Sequence, residues 1–400
     1  MPSAEAGSPS LADQWHIVTG EYPPQPGGLS DYSALVGAGL ARAGADVHVW
    51  CPQGGDRSHD GVQVHGVAGA WHGADLARVD ALLDRFEAPR RLFVQWVPHA
   101  YGRRSLNVGF CRWVARRARR GDRVELMVHE PFLAFRERSW RQDAAAAIHR
   151  VMAATLLKAA SRVWVSIPAW AKQLRPWTFG RSLPFCWLPV PSTIPLSRQP
   201  DRIAAIRAEL VPGELLIGHF GTYGADVAAP LARLTRGVLD GMPQARFVFL
   251  GRGSHPFVAS AFGAGDRARV IALDDLSADA VSWHLQACDL LVQPYPDGVS
   301  TRRTTAMAAL AHGRPMVTTT GRLSEGFWSR SAAISPAPSG DAVGLLDATL
   351  SLAGDASRRQ RVGVAARTLY QERFDLARTI DALTTGRCVP AADAELSAAS

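Results

Sequence analysis

Short apolar runs alternate with helical patterns along almost the whole chain, and this alternation restricts the possible folds more than any other feature. In the first half, the predicted strands lie at 15–19, 47–50, 62–67, 92–97, 124–128, 163–167 and 185–188, and the predicted helices at 32–43, 76–86, 106–119 and 143–160. Strands that alternate with helices form parallel sheets with helices on both faces. The pattern therefore predicts a doubly wound α/β domain.

The alternation stops at a cluster of prolines and then begins again, which indicates a second domain of the same kind. The prolines are Pro189, Pro191, Pro195 and Pro200. Beyond them, strands are predicted at 215–220, 247–250, 270–273, 290–293 and 316–318, and helices at 227–239, 278–287, 304–312, 342–352 and 357–370. A chain of 400 residues is long enough for two domains.

We therefore predict an α/β fold with two doubly wound, Rossmann-like domains and a cleft between them. The predicted divisions are a disordered N-terminus at 1–13, a first domain at 14–190, a linker at 191–212, a second domain at 213–370, a C-terminal helix at 371–388 that could cross back to the first domain, and a disordered tail at 389–400.

Composition excludes several classes of protein. The five cysteines are far apart and none belongs to a C-x-x-C pair, which argues against a disulfide framework or a zinc site and favours a reducing cytoplasm. No apolar run is long enough to span a bilayer, and the first 14 residues lack the apolar core of a signal peptide. The net charge of +8 comes almost entirely from arginine and favours anionic partners.

A glycine-containing segment, residues 20–32 (GEYPPQPGGLSDY), follows the first predicted strand and opens the first long helix. Gly27 and Gly28 would let backbone amides approach a ligand, and the start of a helix favours negative charge. The segment is neither G-x-G-x-x-G nor a P-loop, and it could equally be a proline-rich surface turn. It resembles the amino-terminal loop of the retaining GT-B glycosyltransferases of family four, and the pattern at 40–50 does so too.

The resemblance implies that Gly27 and Gly28 approach the phosphates of a nucleotide-sugar donor. It also gives a role to His129, which ends a predicted strand in the sequence MVHEP, because the family often places a histidine there against the donor sugar. Taken alone, His129 could be a structural side chain with satisfied hydrogen bonds. The remaining residues of the first loop that we assign, on the acceptor side, are Glu21, Asp31 and Tyr32.

The stretch 294–317 (PYPDGVSTRRTTAMAALAHGRPMV) is the most specific signal in the chain. It resembles the family's signature loop and helix, in which two acids lie eight positions apart. The resemblance implies that Asp297 contacts sugar hydroxyls, that the following amides hold phosphates, and that position 305 holds the ribose. Thr305 stands where the family has its second acid, so a neutral hydroxyl replaces a carboxylate. The residues assigned to the donor in this stretch are Ser300, Thr301, Arg302 and Thr305.

The end of the strand at 215–220 departs from the family as well. The family usually has an arginine just after this strand and a lysine a few residues later, and both clamp the diphosphate. Here Gly221 and Thr222 follow the strand and are assigned to the donor, and the second domain contains no lysine. We expect Arg252 and Arg302 to replace the clamp, although Arg252 could also be an ordinary turn residue between two glycines. Arg303 serves as the contrast, because its side chain should point elsewhere.

A basic, tryptophan-containing segment, Arg103–Arg120, allows two interpretations. It could rest on an anionic membrane as a peripheral contact at the inner face, or it could be a helix docked on the sheet. The docked helix is favoured, because every helix of such a fold needs an apolar stripe. Metal-site patterns such as H-E-x-x-H are absent from the sequence, so neither a cofactor nor a metal is expected. Nucleic acid is not expected as a partner.

The resemblance implies transfer of a sugar from a nucleotide-sugar to an acceptor hydroxyl with retention of configuration, and His129, Gly28 and Asp297 are expected to face one cleft. The acceptor could be a glycan, a lipid-linked molecule or a small molecule. The alternatives are a non-catalytic GT-B protein that binds a glycan or nucleotide, and a nucleotide-sugar epimerase. A phosphorylase is disfavoured, because the second domain has no lysine for pyridoxal phosphate.

Overall fold

The structure, a computed structural model, describes residues 14–102, 105–135, 139–210 and 215–388. The chain divides into two compact units, of which the first comprises the chain up to Pro189 together with the segment from Leu376, and the second comprises Val190–Asp375. The disordered ends predicted at 1–13 and 389–400 lie outside the described residues.

The first unit is built on an eight-stranded sheet. Its strands are β1 (Gln14–Val18), β2 (Asp46–Trp50), β3 (Gly55–His59), β4 (Val62–Gly66), β5 (Arg91–Trp96), β6 (Arg123–Val128), β7 (Arg162–Val165) and β8 (Phe185–Trp187), in the order β3-β4-β2-β1-β5-β6-β7-β8. Among these described strands, only β3 pairs antiparallel, with β4. The helices between them are α1 (Gly28–Arg42), α2 (Gly73–Leu83), α3 (Val108–Arg119), α4 (Trp140–Ala159) and α5 (Pro168–Leu174).

The second unit is built on six parallel strands. These are β9 (Leu215–Phe220), β10 (Ala245–Leu250), β11 (Val270–Leu273), β12 (Leu290–Gln293), β13 (Met316–Thr320) and β14 (Ser335–Pro338), in the order β11-β10-β9-β12-β13-β14. The helices are α6 (Pro200–Leu210), α7 (Ala225–Gly241), α8 (Ser254–Ala261), α9 (Ala264–Arg267), α10 (Ala278–Ala287), α11 (Thr304–Ala311), α12 (Ala342–Gly354) and α13 (Ala356–Arg373).

The last helix, α14 (Leu376–Thr385), belongs to the first unit. It packs against α1, where a Cβ added to Gly39 would lie 2.7 Å from Ile380 Cδ1, so the absence of a side chain at Gly39 lets the two helices approach closely. Arg91 also donates to the carbonyl of Leu383 at 3.0 Å. These contacts fix the end of the described chain on the first sheet.

The predicted fold class is confirmed, because both units are parallel sheets with interleaved helices. The structure differs in detail around the proline cluster, where part of the predicted linker at 191–212 is helix α6. Pro200 is the first residue of this helix, a position where the missing N–H of proline costs nothing.

Strand β14 was not predicted, because Pro336 and Pro338 argue against a strand, but it lies at the sheet edge, where proline is tolerated.

The cysteine prediction was wrong at one pair. Cys186, on β8, and Cys388, just after α14, form a disulfide with Cα atoms 4.9 Å apart and 202 residues apart in sequence. Spacing along the chain carries no information about this pair, because α14 returns to the first sheet. The cysteines therefore no longer support a reducing compartment. Cys51, Cys111 and Cys288 are free and buried.

Helix α3 settles the orientation of the basic segment Arg103–Arg120, of which residues 103 and 104 lie outside the described part. Phe110, Trp113 and Val114 are fully buried, and so is Arg117. The apolar side of this helix therefore packs inside the unit and is not available as an anchor for the membrane contact considered above. Among the described residues, no helix combines the length and apolarity needed to cross a bilayer.

Three histidines stack across β1, β2 and β4. The ring centroids of His16 and His48 lie 5.3 Å apart, as do those of His48 and His65. His16 Nδ1 accepts from Trp50 Nε1 at 3.3 Å, and one ring nitrogen of His48 lies 3.0 Å from one of His65. Burial, reinforced by His48, lowers the pKa of His16 to about 3 and also lowers the pKa of His65.

We expect the free energy of unfolding to fall as the pH is lowered from about 6.5 toward 3. The unfolded chain takes up a proton on His16 near pH 6.5, whereas folded His16 stays neutral until about pH 3. This contribution is therefore complete above about pH 6.5 and is lost on acidification, by up to about 1.4 kcal/mol per pH unit. Urea unfolding between about pH 7 and 4.5 measures the slope, and an equal slope in His16→Asn would contradict the assignment.

Candidate functional site

Both sheets reverse their strand order once, and the predicted site residues follow the strands at these points. In the first sheet the reversal lies between β1 and β5, and in the second between β9 and β12. Ligands of doubly wound sheets bind outside the carboxyl ends of the strands at such a reversal. The double-glycine loop follows β1, and the segment containing Asp297 follows β12.

The double-glycine loop leaves the start of α1 open. Gly27 precedes the helix without any side-chain cap, and no atom of another described segment lies within 4 Å of the position where Gly28 would carry a Cβ. A Cβ on Gly27 would lie 2.6 Å from Glu21 Oε2, which places this carboxyl group beside the helix start. Burial raises the pKa of Glu21, with His99 opposing and Asp31 adding to the rise. The open helix start suits an anionic group.

His129 lies directly after β6 and is held on several sides. Its Nε2 is 2.9 Å from Gln95 Oε1, and its ring meets that of Tyr32 edge to face at 4.7 Å. An amide oxygen only accepts, so this contact places the imidazole proton on Nε2 and leaves Nδ1 as an acceptor. The carbonyl of His129 accepts from Trp170 Nε1 at 2.7 Å. Burial lowers the pKa of His129 to about 3, so the ring is neutral at physiological pH.

Sequence reasoning missed Gln95, which lies in β5 beside His129. Its side chain is fully buried, and its Nε2 has no hydrogen-bond partner among the residues that the structure describes. The hydroxyl groups of Ser30 and Tyr32 are likewise buried without partners in the described structure. A polar residue inside the otherwise apolar run LFVQW of this strand was the available signal. Tyr32, assigned to the acceptor side, is buried and packs under His129 instead of facing solvent.

In the second unit, Asp297 lies between two guanidinium groups. Arg322 Nη2 is 2.7 Å from one carboxylate oxygen, and Arg302 Nη2 is 3.8 Å from the other. The guanidinium of Arg303 lies over the ring of Tyr295, 4.9 Å from its centroid. Arg302 and Arg303 thus have different neighbours. Both residues precede α11, so the turn before the helix, and not the helical spacing used in the prediction, separates their side chains.

Two of the residues assigned to the donor point inward. Ser300 and Thr301 are both fully buried. The amide of Thr301 donates to Glu325 Oε1 at 3.1 Å, and its hydroxyl donates to the same oxygen. The amide of Thr301 is therefore committed to a carboxylate of the protein and is not free for a phosphate. Sequence reasoning missed Glu325, because a lone glutamate in a loop carries no pattern.

The position that the resemblance assigns to the ribose carries a neutral pair of hydroxyl groups. Thr305 Oγ1 lies 2.7 Å from the hydroxyl of Tyr295, and burial raises the pKa of Tyr295 to about 12. Gly221 lies nearby, since a Cβ there would be 3.7 Å from Thr305 Cγ2. Thr222 is exposed just beyond it.

Arg252 lies in the neighbouring turn, between two glycines with positive φ. Gly251 has φ +109°, and a Cβ on it would lie 2.5 Å from the carbonyl oxygen of Gly221. This close approach brings the turn after β10 against the end of β9, and the side chain of Arg252 is exposed there. The prediction that Arg252 and Arg302 together clamp a diphosphate stays a prediction.

Gly298 is where we expect the loop after β12 to be most sensitive to substitution. It has φ +86°, and a Cβ would collide with Gly321 N and Ser324 Oγ. Gly298→Ala should destabilise the protein by about 1–3 kcal/mol, because it adds this collision to a strained φ. Denaturant unfolding measures the loss. The matched control is Gly340→Ala, where φ is +90° with nothing within 4 Å, and equal losses would contradict the close approach.

In the described parts of the chain, no group of three or more His, Cys, Asp or Glu side chains is arranged to hold a metal ion. The expectation that no metal or other cofactor is needed stays a prediction.

Comparison with known proteins supports the fold. No protein-family model matches the chain, and no curated protein matches it. Solved structures, in contrast, do match the chain. A sucrose-phosphate synthase from Thermosynechococcus elongatus has a TM-score of 0.70 at 16% identity, covering 94% of this chain and 97% of that one.

Two further solved structures have the same architecture. WaaG, a glycosyltransferase involved in lipopolysaccharide biosynthesis, has a TM-score of 0.65 at 15% identity, with 92% and 98% of the chains covered. HepE of Anabaena in complex with UDP-glucose has a TM-score of 0.65 at 14% identity, with 93% and 98% covered. At these identities the likeness establishes the GT-B fold.

Proposed function

We propose that this chain is a glycosyltransferase that moves a sugar from a nucleotide-sugar donor to an acceptor hydroxyl with retention of configuration. The observation that carries the proposal is the placement of Asp297, Arg302 and Thr305 at the strand-order reversal of the second sheet, where doubly wound sheets bind ligands. The structural neighbours support it, since one is a glycosyltransferase by name and another was solved with UDP-glucose.

In this proposal the second unit holds the donor. Arg252 and Arg302 supply positive charge to the diphosphate as it leaves, and the open first turn of α11 adds backbone amides to the same region. Arg322 neutralises Asp297, so this carboxylate would act as a hydrogen-bond acceptor for sugar hydroxyls without adding a free negative charge near the diphosphate.

The first unit supplies a neutral hydrogen-bonding surface. His129 is uncharged because burial holds its pKa at about 3, and Gln95 fixes its tautomer, so Nδ1 can accept from a hydroxyl group. A neutral imidazole positions a sugar but cannot deliver a proton as a general acid at neutral pH. This is consistent with retaining transfer, in which the leaving phosphate itself can deprotonate the acceptor.

The proposal is tested by a thermal-shift screen with UDP-, GDP- and ADP-sugars, because a ligand that binds only the native state raises the unfolding midpoint. We expect one nucleotide class to raise it, and Asp297→Ala to reduce the rise. Asp347→Ala, an exposed aspartate on α12, is the control and should leave it unchanged. The best ligand is then assayed for transfer and hydrolysis. Binding without turnover would favour a non-catalytic GT-B protein, and no binding would refute the proposal.

A further inference from the structure

Glu325 is a buried carboxylate that accepts hydrogen bonds from two segments of the second unit. Only 4% of the residue is exposed. Oε1 accepts from the amide and the hydroxyl of Thr301, and Oε2 accepts from Trp328 Nε1 at 2.7 Å. Trp328 is itself fully buried, so the carboxylate is anchored on one side by a rigid indole and holds Thr301 on the other.

The residue that Glu325 holds, Thr301, lies near the end of the loop between β12 and α11, three residues before the helix begins. The amide of Arg303 donates to the carbonyl of Ser300 at 3.0 Å, and the carbonyl of Thr301 accepts from the amide of Val190 at 2.9 Å. Both backbone polar groups of Thr301 are therefore fixed from inside the unit. Arg302 follows immediately, so the direction in which its side chain leaves the loop depends on this turn.

We propose that Glu325 is a positioning residue: by holding the backbone and hydroxyl of Thr301, it sets the turn Ser300–Arg303 so that Arg302 and the first turn of α11 face the donor. The inference rests on the proposed function for the identity of the ligand. It does not require Glu325 to touch that ligand, and the burial of the carboxylate excludes direct contact in this conformation.

The ionisation of Glu325 should make the stability of this turn depend on pH. Burial raises its pKa to about 7, while the hydrogen bonds from Thr301, its own backbone and Trp328 oppose the rise. The largest of these contributions come from burial and from neutral hydrogen-bond donors. An ionised carboxylate can accept from all three donors, whereas a protonated carboxyl group has an O–H that must itself donate. The turn should therefore change its stability near neutral pH.

The test compares Glu325→Gln with wild type, using UDP-glucose as the donor between about pH 5.5 and 8.5. The glutamine amide keeps one acceptor oxygen for a hydrogen bond and does not titrate. We therefore expect the variant to fold and to lose the pH dependence. We expect the KM for UDP-glucose to rise about 10-fold, in line with the loss of a hydrogen bond to a charged group, with a smaller change in kcat and no inflection near pH 7. Glu372→Gln, at an exposed position of α13, is the control.

Hydrogen exchange of the peptide around Thr301 provides a readout that does not depend on activity. Once corrected for the intrinsic pH dependence of exchange, protection in wild type should change across about pH 7 and should be flat in Glu325→Gln. Equal protection of this peptide in both proteins at every pH overturns the positioning role, whatever the activity. A wild-type KM and pH profile in Glu325→Gln overturn it as well. If wild type shows the expected exchange but no reaction with any donor, the proposed function fails and the role of Glu325 in fixing the turn stands.

Discussion

Arg302→Ala is expected to lower turnover with the best donor by about 10²–10³-fold, the usual cost of losing one preorganised group that stabilises developing charge. The physical reason is that a leaving diphosphate becomes more negative in the transition state, and the second unit has no lysine to compensate. Arg302 is mostly buried, with 14% of its side chain exposed, so its guanidinium is held in place before any donor binds. Steady-state kinetics with the nucleotide-sugar identified by the thermal-shift screen measures the effect.

Substitutions of two other arginines distinguish a specific diphosphate clamp from a generally basic surface. Arg252→Ala should cause a loss similar to that of Arg302→Ala, because both are assigned to the same diphosphate. Arg303→Ala should have a much smaller effect, since its guanidinium stacks on Tyr295. The fold should survive Arg302→Ala, because Asp297 keeps Arg322 as its partner at 2.7 Å. Equal and mild losses in all three variants would refute the clamp.

The sequence alone predicted the two sheets because each buried parallel strand is a short apolar run between turn signals. The predicted bounds of β9, β11 and β12 match those of the structure. The elements that escaped prediction are those that the same pattern cannot detect. Strand β3 is exposed along most of its length, and β14 contains two prolines that are acceptable only at a sheet edge.

The candidate site was only partly predictable, for a different reason. His129 could be found because it ends a strand, and strand ends mark the binding edge of such sheets. Its partner Gln95 and its neutral state depend on the pairing of β5 with β6, which the sequence does not specify. Likewise, nothing local indicates that Glu325 binds Thr301, since 24 residues separate them. Contacts between distant segments decide which predicted residues face inward.

The basic segment on α3 illustrates the same limit, because one of its arginines is a core residue. Arg117 is fully buried, and its Nε donates to Asp122 Oδ2 at 2.6 Å. Its Nη1 reaches Asp84 at 2.6 Å and Asp80 at 3.2 Å, so that α3 is tied to α2 and to the turn before β6. A run of arginines in a sequence cannot distinguish this buried cation from its exposed neighbours.

Asp122→Ala is therefore expected to destabilise the protein by about 3–5 kcal/mol, because it removes a buried partner and leaves the guanidinium of Arg117 incompletely paired in the core. The double variant Arg117→Met, Asp122→Ala should lose less than the sum of the two single variants, since it removes both members of the buried pair. Arg90, which also donates to Asp122 at 3.0 Å, keeps Asp84 as a partner at 3.5 Å. Denaturant unfolding of the four proteins gives the coupling free energy. The control is Arg120→Ala. Arg120 directly follows α3, and its side chain, which is 53% exposed, pairs with Asp80 and Asp84. It should cost about 1 kcal/mol or less. If Asp122→Ala cost no more than Arg120→Ala, the buried pair would not be a major source of stability in the first unit.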